Sequence, residues 1–205
     1  MSRRVRSDAA PRAPRPFPRR FFLQHAVDVA RGLLGARLEK DGVGGVVVET
    51  EAYDQSEPAC HAHKGERPRC RTWFLAGGHL YVYRIHQVVC ANVSVGPAGY
   101  GSGVLFRALV PTHGLELVAA RRPTAPRRAW TDGPGKLCKA LAITLGDDGL
   151  DLVGGEGPVR LLDLGQRVGD ADVITGPRVG ISLAVDLPWR FQVRGGWIAG
   201  TGATS

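Results

Sequence analysis

The chain is short of the residues that staple small proteins together and of the runs that cross membranes. Only four of its 205 residues are cysteine, Cys60, Cys70, Cys90 and Cys138, and they form neither a CxxC pair nor the spacing of a disulfide framework. Reduced thiols are expected. Cys60, His61, His63 and Cys70 could offer two sulfurs and two nitrogens to a zinc ion, but adjacent side chains such as Cys60 and His61 seldom aim at one ion. No metal is therefore expected, and a zinc-organised protein is left to metal analysis. No stretch approaches the roughly 18 consecutive apolar residues of a membrane helix, and no apolar run follows the N-terminal arginines as it does in a secretory signal. A protein of the cytoplasm is expected, without a membrane partner. Acidic residues are scarce too, 19 against 27 Lys and Arg, giving a net charge of +8. No internal repeat is visible.

What is present suffices for one sizeable core: 43% of residues are hydrophobic and 22% charged, while 28 glycines and 14 prolines indicate a loop-rich domain. The charge is uneven. Residues 1–20 hold seven arginines against Asp8, which places +6 there and leaves +2 for the rest. Such an Arg-, Pro- and Ala-rich segment buries too little apolar surface to offset its ordering entropy, so a disordered arm over 1–20 and one domain over 21–205 are expected. Mobile guanidinium groups attract polyanions through counterion release, which makes nucleic acid the leading partner and association with a nucleoid its bacterial setting. A purely solubilising tail and an organelle transit peptide are the alternatives.

From Phe21 to Glu39, apolar residues at helical spacing (Leu23, Ala26, Val27, Ala30, Leu33, Leu34) indicate an amphipathic helix. Lys40 to Gly45 reads as a turn and Val46 to Tyr53 as a strand. Residues 54–79 form a long excursion, and loops of that length in compact domains are usually functional. Leu80–Ile85, Val88–Val95 and Val104–Val110 read as antiparallel strands. Leu115–Arg121 and Gly135–Thr144 read as helices, 121–128 as an exposed loop, and Val159–Leu164 and Arg190–Trp197 as further strands. The class is α+β.

Two acids interrupt the apolar run Val47-Val48-Glu49-Thr50-Glu51-Ala52-Tyr53. Strand alternation sets Glu49, Glu51 and Tyr53 on one face, with the carboxylates roughly 7 Å apart. That separation suits activation of a water for glycoside hydrolysis, although one acid can suffice, and burial would raise the pKa of Glu51 toward that of a useful base. The structural alternative is an exposed edge strand paired with arginines. Tyr53, His61, His63, Trp73, Phe74, Tyr81 and Tyr83 interleave with Lys64, Arg67, Arg69 and Arg71, a composition that suits an unstacked base between rings with phosphates gripped outside. Arg107, mid-strand among apolar residues, needs an anionic partner: Glu49, Glu51 or a phosphate. Asn92 likewise needs hydrogen bonds. Gly133-Pro134-Gly135-Lys136 opens a helix whose amides could receive a phosphate, but Trp130 and Leu137 exclude a phosphate-binding P-loop.

Phe21-Phe22, Val48-Glu49-Thr50-Glu51-Ala52-Tyr53, His61-Ala62, Leu80-Tyr81-Val82-Tyr83, Cys90-Ala91-Asn92, Leu105-Phe106-Arg107-Ala108-Leu109, Gly133-Pro134-Gly135-Lys136-Leu137-Cys138 and Arg178-Val179-Gly180 occur in the order of one family. From about Phe21 to Trp197 the sequence resembles the alkyladenine (3-methyladenine) DNA glycosylases of the methylpurine type. The resemblance implies a single α+β domain around a curved antiparallel sheet and a monomeric enzyme that uses no cofactor. Such an enzyme flips a damaged purine (3-methyladenine, hypoxanthine or ethenoadenine) out of double-stranded DNA and hydrolyses its N-glycosidic bond without lyase activity. It also implies that Glu51 activates the water, with Arg107 and the Val179 carbonyl holding it, that Tyr53, His61 and Tyr83 enclose the base, and that Asn92 contacts it. Arg67, Arg69, Arg71, Gly135 and Lys136 would face DNA.

The sequence departs from the family after Tyr83. Where a Tyr-Gly-Met-type segment usually supplies a wedge for the gap in the duplex, Arg84-Ile85-His86-Gln87-Val88-Val89 is one residue shorter, leaving Ile85 or His86 for that task. Arg67, Cys70 and Trp73 stand where Thr, Asn and Met are common. A binding module without catalysis and a hydrolase of other N-glycosides are the competing readings.

Overall fold

A computed structural model of the chain describes residues 13–196. Asp41 and Gly42 both take positive φ, 49° and 77°, the conformation of the two-residue turn whose twist matches a hairpin. Strands β2 (Arg37–Lys40) and β3 (Val43–Asp54) flank it, paired from Lys40↔Val43 to Arg37↔Val46. The expected helix through Glu39 is thereby corrected. The segment instead forms a short β1 (Arg15–Pro16), helices α1 (Arg19–Phe22) and α2 (Ala26–Gly32), and then β2. Helix α2 stops before Gly35, whose φ of 87° is left-handed, and β2 is held by its two neighbours in the sheet and by Glu39, which pairs with Arg160 and Arg37. The turn expected over Lys40–Gly45 shrinks to its Asp-Gly tip.

The other strands are β4 (Leu80–Ile85), β5 (Val88–Ser94), β6 (Ser102–His113), β7 (Val159–Asp163), β8 (Val173–Gly176) and β9 (Arg190–Val193). Helices α3 (Leu115–Arg121) and α4 (Pro134–Leu141) complete the α-helices of the described residues. Every pairing is antiparallel, in the order β1-β7-β2-β3-β6-β5-β4. β3 is the hub. One edge pairs with β6, and the other pairs first with β2 and then, at Glu49–Glu51, with β9, which carries β8. Register shifts between Val47 and Thr50 bend β3 where β9 takes over. At Gly45 a Cβ would lie 2.1 Å from the Val110 carbonyl oxygen, so only glycine allows β3 and β6 to approach there.

The two sheet faces do different work. Val47, Val48, Ala52, Val82, Ala91, Val93 and Phe106 join α2 and α4 in the main core, and Thr50 Oγ1 donates to the Ala30 carbonyl at 2.8 Å, fastening α2 to the back of β3. The opposite face carries a second cluster of Cys60, Ala62, Cys70, Trp73 and Tyr81, bordered by Tyr53, Phe74 and Tyr83. Alternation along β4 sends Leu80 and Val82 to the first layer and Tyr81 and Tyr83 to the second. The excursion after β3 contributes a 3₁₀ segment, Pro68–Phe74, to that second layer.

The arm expected over 1–20 needs correction at its C-terminal end. Residues 1–12 lie outside the described residues, but Arg15 and Pro16 pair with β7, Phe17 is buried against Phe21 and Phe22, and Arg19 donates to the Gly77 carbonyl and pairs with Asp151. Two buried aromatic contacts and an ion pair offset the ordering entropy that the composition emphasised.

Candidate active site

Glu51 sits in the C-terminal half of β3, where β6 and β9 flank it on both edges, and is fully buried, whereas an acid on an edge strand would be solvated. Two hydrogen-bond donors and a guanidinium converge on it. The Tyr53 hydroxyl donates to Oε2 at 2.8 Å, the Val179 N–H donates to Oε1 at 2.7 Å, and Arg107 Nη1 lies 3.4 Å from Oε1. Burial raises the pKa of Glu51 above the ordinary 4.5, and the Arg107 charge, the Val179 N–H and the Tyr53 hydroxyl pull it back only in part. Glu49, two residues away on the same face, is occupied differently: Arg107 Nε donates to it at 2.9 Å, Arg190 Nη1 at 3.2 Å and Gln192 Nε2 at 3.2 Å. Arg107 thus bridges both carboxylates. Glu49 is neutralised by two guanidiniums, while Glu51 is left the less compensated acid.

In front of this pair lies a cavity of about 370 Å³. Tyr53, His61, Trp73, Tyr83, Asn92, Leu105 and Arg107 line its interior, and Val179–Leu183 form one wall. His61 stands edge-on to Tyr83 at 4.6 Å and packs on Trp73 at 5.7 Å, while Tyr81 stacks behind Tyr83 at 5.5 Å. The Tyr81 hydroxyl donates to the Arg69 carbonyl at 3.0 Å, which leaves its oxygen to accept from His61 Nδ1 at 3.3 Å. Burial, reinforced by the charge of Arg69, lowers the pKa of His61 and keeps the ring neutral near pH 7. Asn92, 1% exposed, donates through Nδ2 to the Tyr81 carbonyl at 3.2 Å.

Tyr53, His61, Tyr83, Asn92, Arg107 and Val179 line one cavity, and Glu51 does not line it but lies directly behind that lining, in contact with Tyr53, Val179 and Arg107. The contact Val179 makes with Glu51 is through its N–H. Ile85, half exposed, also lines the cavity, whereas His86 occupies the tip of the β4–β5 hairpin with φ 50°. Arg67, Arg69, Arg71, Gly135 and Lys136 do not line it. Arg69 and Arg71 are exposed on the 3₁₀ segment, Arg71 is 3.5 Å from Glu66, and Arg67 precedes them half-buried. Lys136 pairs with Asp132 at 2.9 Å, and Gly135 gives α4 room against Val88, since a Cβ would meet Val88 Cγ1 at 2.3 Å. The cysteines and histidines weighed as zinc ligands point elsewhere: Cys60 Sγ to the Gly101 carbonyl, Cys70 Sγ to the Gly65 carbonyl and His63 Nδ1 to the Gln55 carbonyl. Among the described residues no group of three or more His, Cys, Asp or Glu is placed to hold a metal.

Two features of the site have only a faint signal in the sequence. Trp73 stands there as one of several aromatics, yet it forms the cavity floor. Arg178 stands there only as part of Arg178-Val179-Gly180, yet it is buried beneath Tyr53.

The sheet hub, the buried carboxylate and the aromatic cavity define an α+β protein with an aromatic-lined cavity next to a buried acid. The sequence profile of the family described as "Methylpurine-DNA glycosylase (MPG)" matches residues 20–196. A relative from Rhodopseudomonas palustris (strain HaA2), named "Putative 3-methyladenine DNA glycosylase", is 43% identical over 95% of this chain and 95% of its own. Relatives of the same name from Agrobacterium fabrum and Nitrosospira multiformis are 46% identical over 87% of this chain and 89% of theirs, and 42% over 85% and 88%. The chain belongs to the methylpurine-DNA glycosylase family. It is a DNA glycosylase, a hydrolase whose substrate is DNA, and among the described residues no helix is long and apolar enough to cross a membrane.

Proposed function

We propose that the protein excises alkylated and deaminated purines from double-stranded DNA, with Glu51 activating the water that displaces the base. The observation that carries this reading is the fully buried Glu51, held by two hydrogen-bond donors and the Arg107 guanidinium directly behind the lining of an aromatic cavity. A carboxylate accepts about four hydrogen bonds and Glu51 accepts one on each oxygen, so lone-pair capacity for a water remains. Glu51 takes a proton from that water, the oxygen attacks C1′ of the flipped nucleotide, and the bond to the purine nitrogen breaks with its electrons leaving on the base. The products are a free purine and an abasic site. Arg107 keeps Glu51 oriented and shares its charge with Glu49.

Tyr53, His61, Tyr83 and Trp73 supply faces and edges for stacking, which contributes roughly 1–3 kcal/mol per base and offsets an extrusion cost of a few kcal/mol. A cationic 3-methyladenine gains additional attraction to the ring faces, while hypoxanthine and ethenoadenine rely on stacking and on the polar edge of Asn92. Ile85, half exposed at the cavity mouth, is the better wedge for the vacated gap, and His86 at the tip lies beyond it. Arg67, Arg69 and Arg71 serve the phosphates. The protein acts as a glycosylase without lyase activity, which releases the base and leaves the abasic strand unbroken.

Duplexes carrying one hypoxanthine or one ethenoadenine test the reading. A strand break at the lesion is expected only after hot alkali. A break before alkali would contradict the monofunctional assignment. Intact strands for both lesions and for methylated DNA would leave a binding module instead.

A further inference from the structure

Arg178 has a fully buried side chain, yet it does not line the cavity. Its Nη1 donates to the Ala52 carbonyl at 3.0 Å and to Glu57 Oε1 at 2.6 Å, and its Nη2 donates to the Ala184 carbonyl at 3.4 Å. The guanidinium carbon lies 4.6 Å from the centre of the Tyr53 ring and 5.4 Å from that of Trp189. One side chain thus ties together β3, the loop that follows it, the approach to β9 and its own loop. The bond to Ala184 closes residues 178–184 into a ring, and Val179, Gly180, Ile181, Ser182 and Leu183 between them line the cavity. The first backbone N–H after Arg178 is the one on Glu51 Oε1.

We propose that Arg178 is the positioning residue of this site: by clamping the 178–184 loop to β3 and backing the Tyr53 ring, it holds the Val179 N–H and the Tyr53 hydroxyl on the two oxygens of Glu51. The proposal rests on Glu51 being the base. A buried ion pair with Glu57 that merely serves the fold is the competing explanation, and such pairs are weak evidence for stability in their own right. The two differ in what they do to Glu51. The charged or titratable groups around that carboxylate are Glu49 and Tyr53 on its own strand, Arg107 on β6, Arg190 on β9 (engaged with Glu49), Tyr83 on β4 and Cys90 on β5 beside Arg107. Only the Tyr53 and Val179 donors depend on the clamp. Losing them destabilises the carboxylate form and moves the acid limb of the reaction to higher pH, an effect that a general loss of stability does not produce.

The test uses the full chain, single-turnover release of hypoxanthine from a duplex across a pH series, and amide hydrogen exchange at Val179. Arg178→Met is combined with Glu57→Gln so that no carboxylate is left buried alone, and Arg178→Lys keeps the charge opposite Glu57. In the double variant the proposal expects at least a tenfold lower rate at neutral pH, an acid limb raised by about one pH unit, and faster exchange at Val179. Arg178→Lys should fall between it and the unaltered chain. Folded variants that keep the original acid limb and a protected Val179 amide would overturn the proposal, whatever their Tm. If the unaltered chain releases no base, or Glu51→Gln releases it normally, the functional reading fails, while exchange at Val179 still reports on the clamp itself.

Discussion

Glu51 combines a catalytic requirement with a stability penalty. Its pKa is raised above 4.5, chiefly by burial, so the carboxylate form needed to take a proton from water is lost as pH falls through a value above 4.5. Single-turnover excision should therefore show an acid limb above pH 4.5, and a limb at or below that value would contradict the assignment. The same shift has a sign in the folding equilibrium. The folded state holds the proton more tightly than the unfolded chain, so the contribution of Glu51 to stability is fully present below pH 4.5 and is lost as pH rises through the raised folded value. Glu51→Gln, which removes the cost of burying the charge, should accordingly raise Tm at neutral pH, as read by thermal denaturation. At this scale the sequence is informative. Alternation along β3 puts Glu49, Glu51 and Tyr53 on one face, and Arg107, isolated among apolar residues, announces its need for their charge. Arg178 cannot be read in the same way, because it lies in a Gly- and Pro-bearing loop with no periodicity and its partners on and after β3 are 126 and 121 residues away.

Among the elements, the cavity floor depends on a glycine in β6. A Cβ at Gly103 would lie 2.8 Å from Trp73 Nε1 and 3.0 Å from the Val93 carbonyl oxygen, so Gly103→Ala must push the indole toward the cavity. It should cost about 1–3 kcal/mol of stability by overpacking and slow excision about tenfold, as read by thermal denaturation and single-turnover assay. Unchanged excision would mean that the Trp73 position is immaterial. The β4–β5 hairpin makes a separate prediction: Ile85→Ala should weaken binding to lesion duplex about tenfold while leaving Tm nearly unchanged, and equal affinity would remove Ile85 as the wedge. Strands β4, β5 and β6 are legible because each is an uninterrupted β-prone run between turn residues. β1, β2 and β8, of two to four residues each, are too short to show a period, and β2 sits where apolar spacing continues the preceding helix. Distant strands, not local propensity, decide those segments.

For the whole molecule, the N-terminal arginines divide into two functions. Residues 15–20 belong to the fold through β1, Phe17 and Arg19, whereas Arg3, Arg4, Arg6 and Arg12 contribute charge to a chain of net +8. Removing residues 1–12 should leave Tm within about 2 °C and flatten the salt dependence of DNA binding by up to about four in slope, one for each phosphate that an arginine no longer neutralises. Removing residues 1–20 also deletes Phe17, whose burial is equivalent to about 3–5 kcal/mol, and should lower Tm by roughly 6–20 °C. Equal Tm values for the two truncations would show that β1 does not support the domain. Composition reveals the charge of this segment but not its boundary, because buried phenylalanines and one strand pairing outweigh the arginines only once the partner surfaces exist.

The most direct measurement compares binding and excision for Glu51→Gln on a duplex carrying one hypoxanthine. Affinity is expected within about threefold of the unaltered chain and excision reduced at least about 100-fold, the loss that follows when a general base is removed from an otherwise intact site. Excision that persists, or that falls only in proportion to binding, would contradict the role of Glu51 as the base.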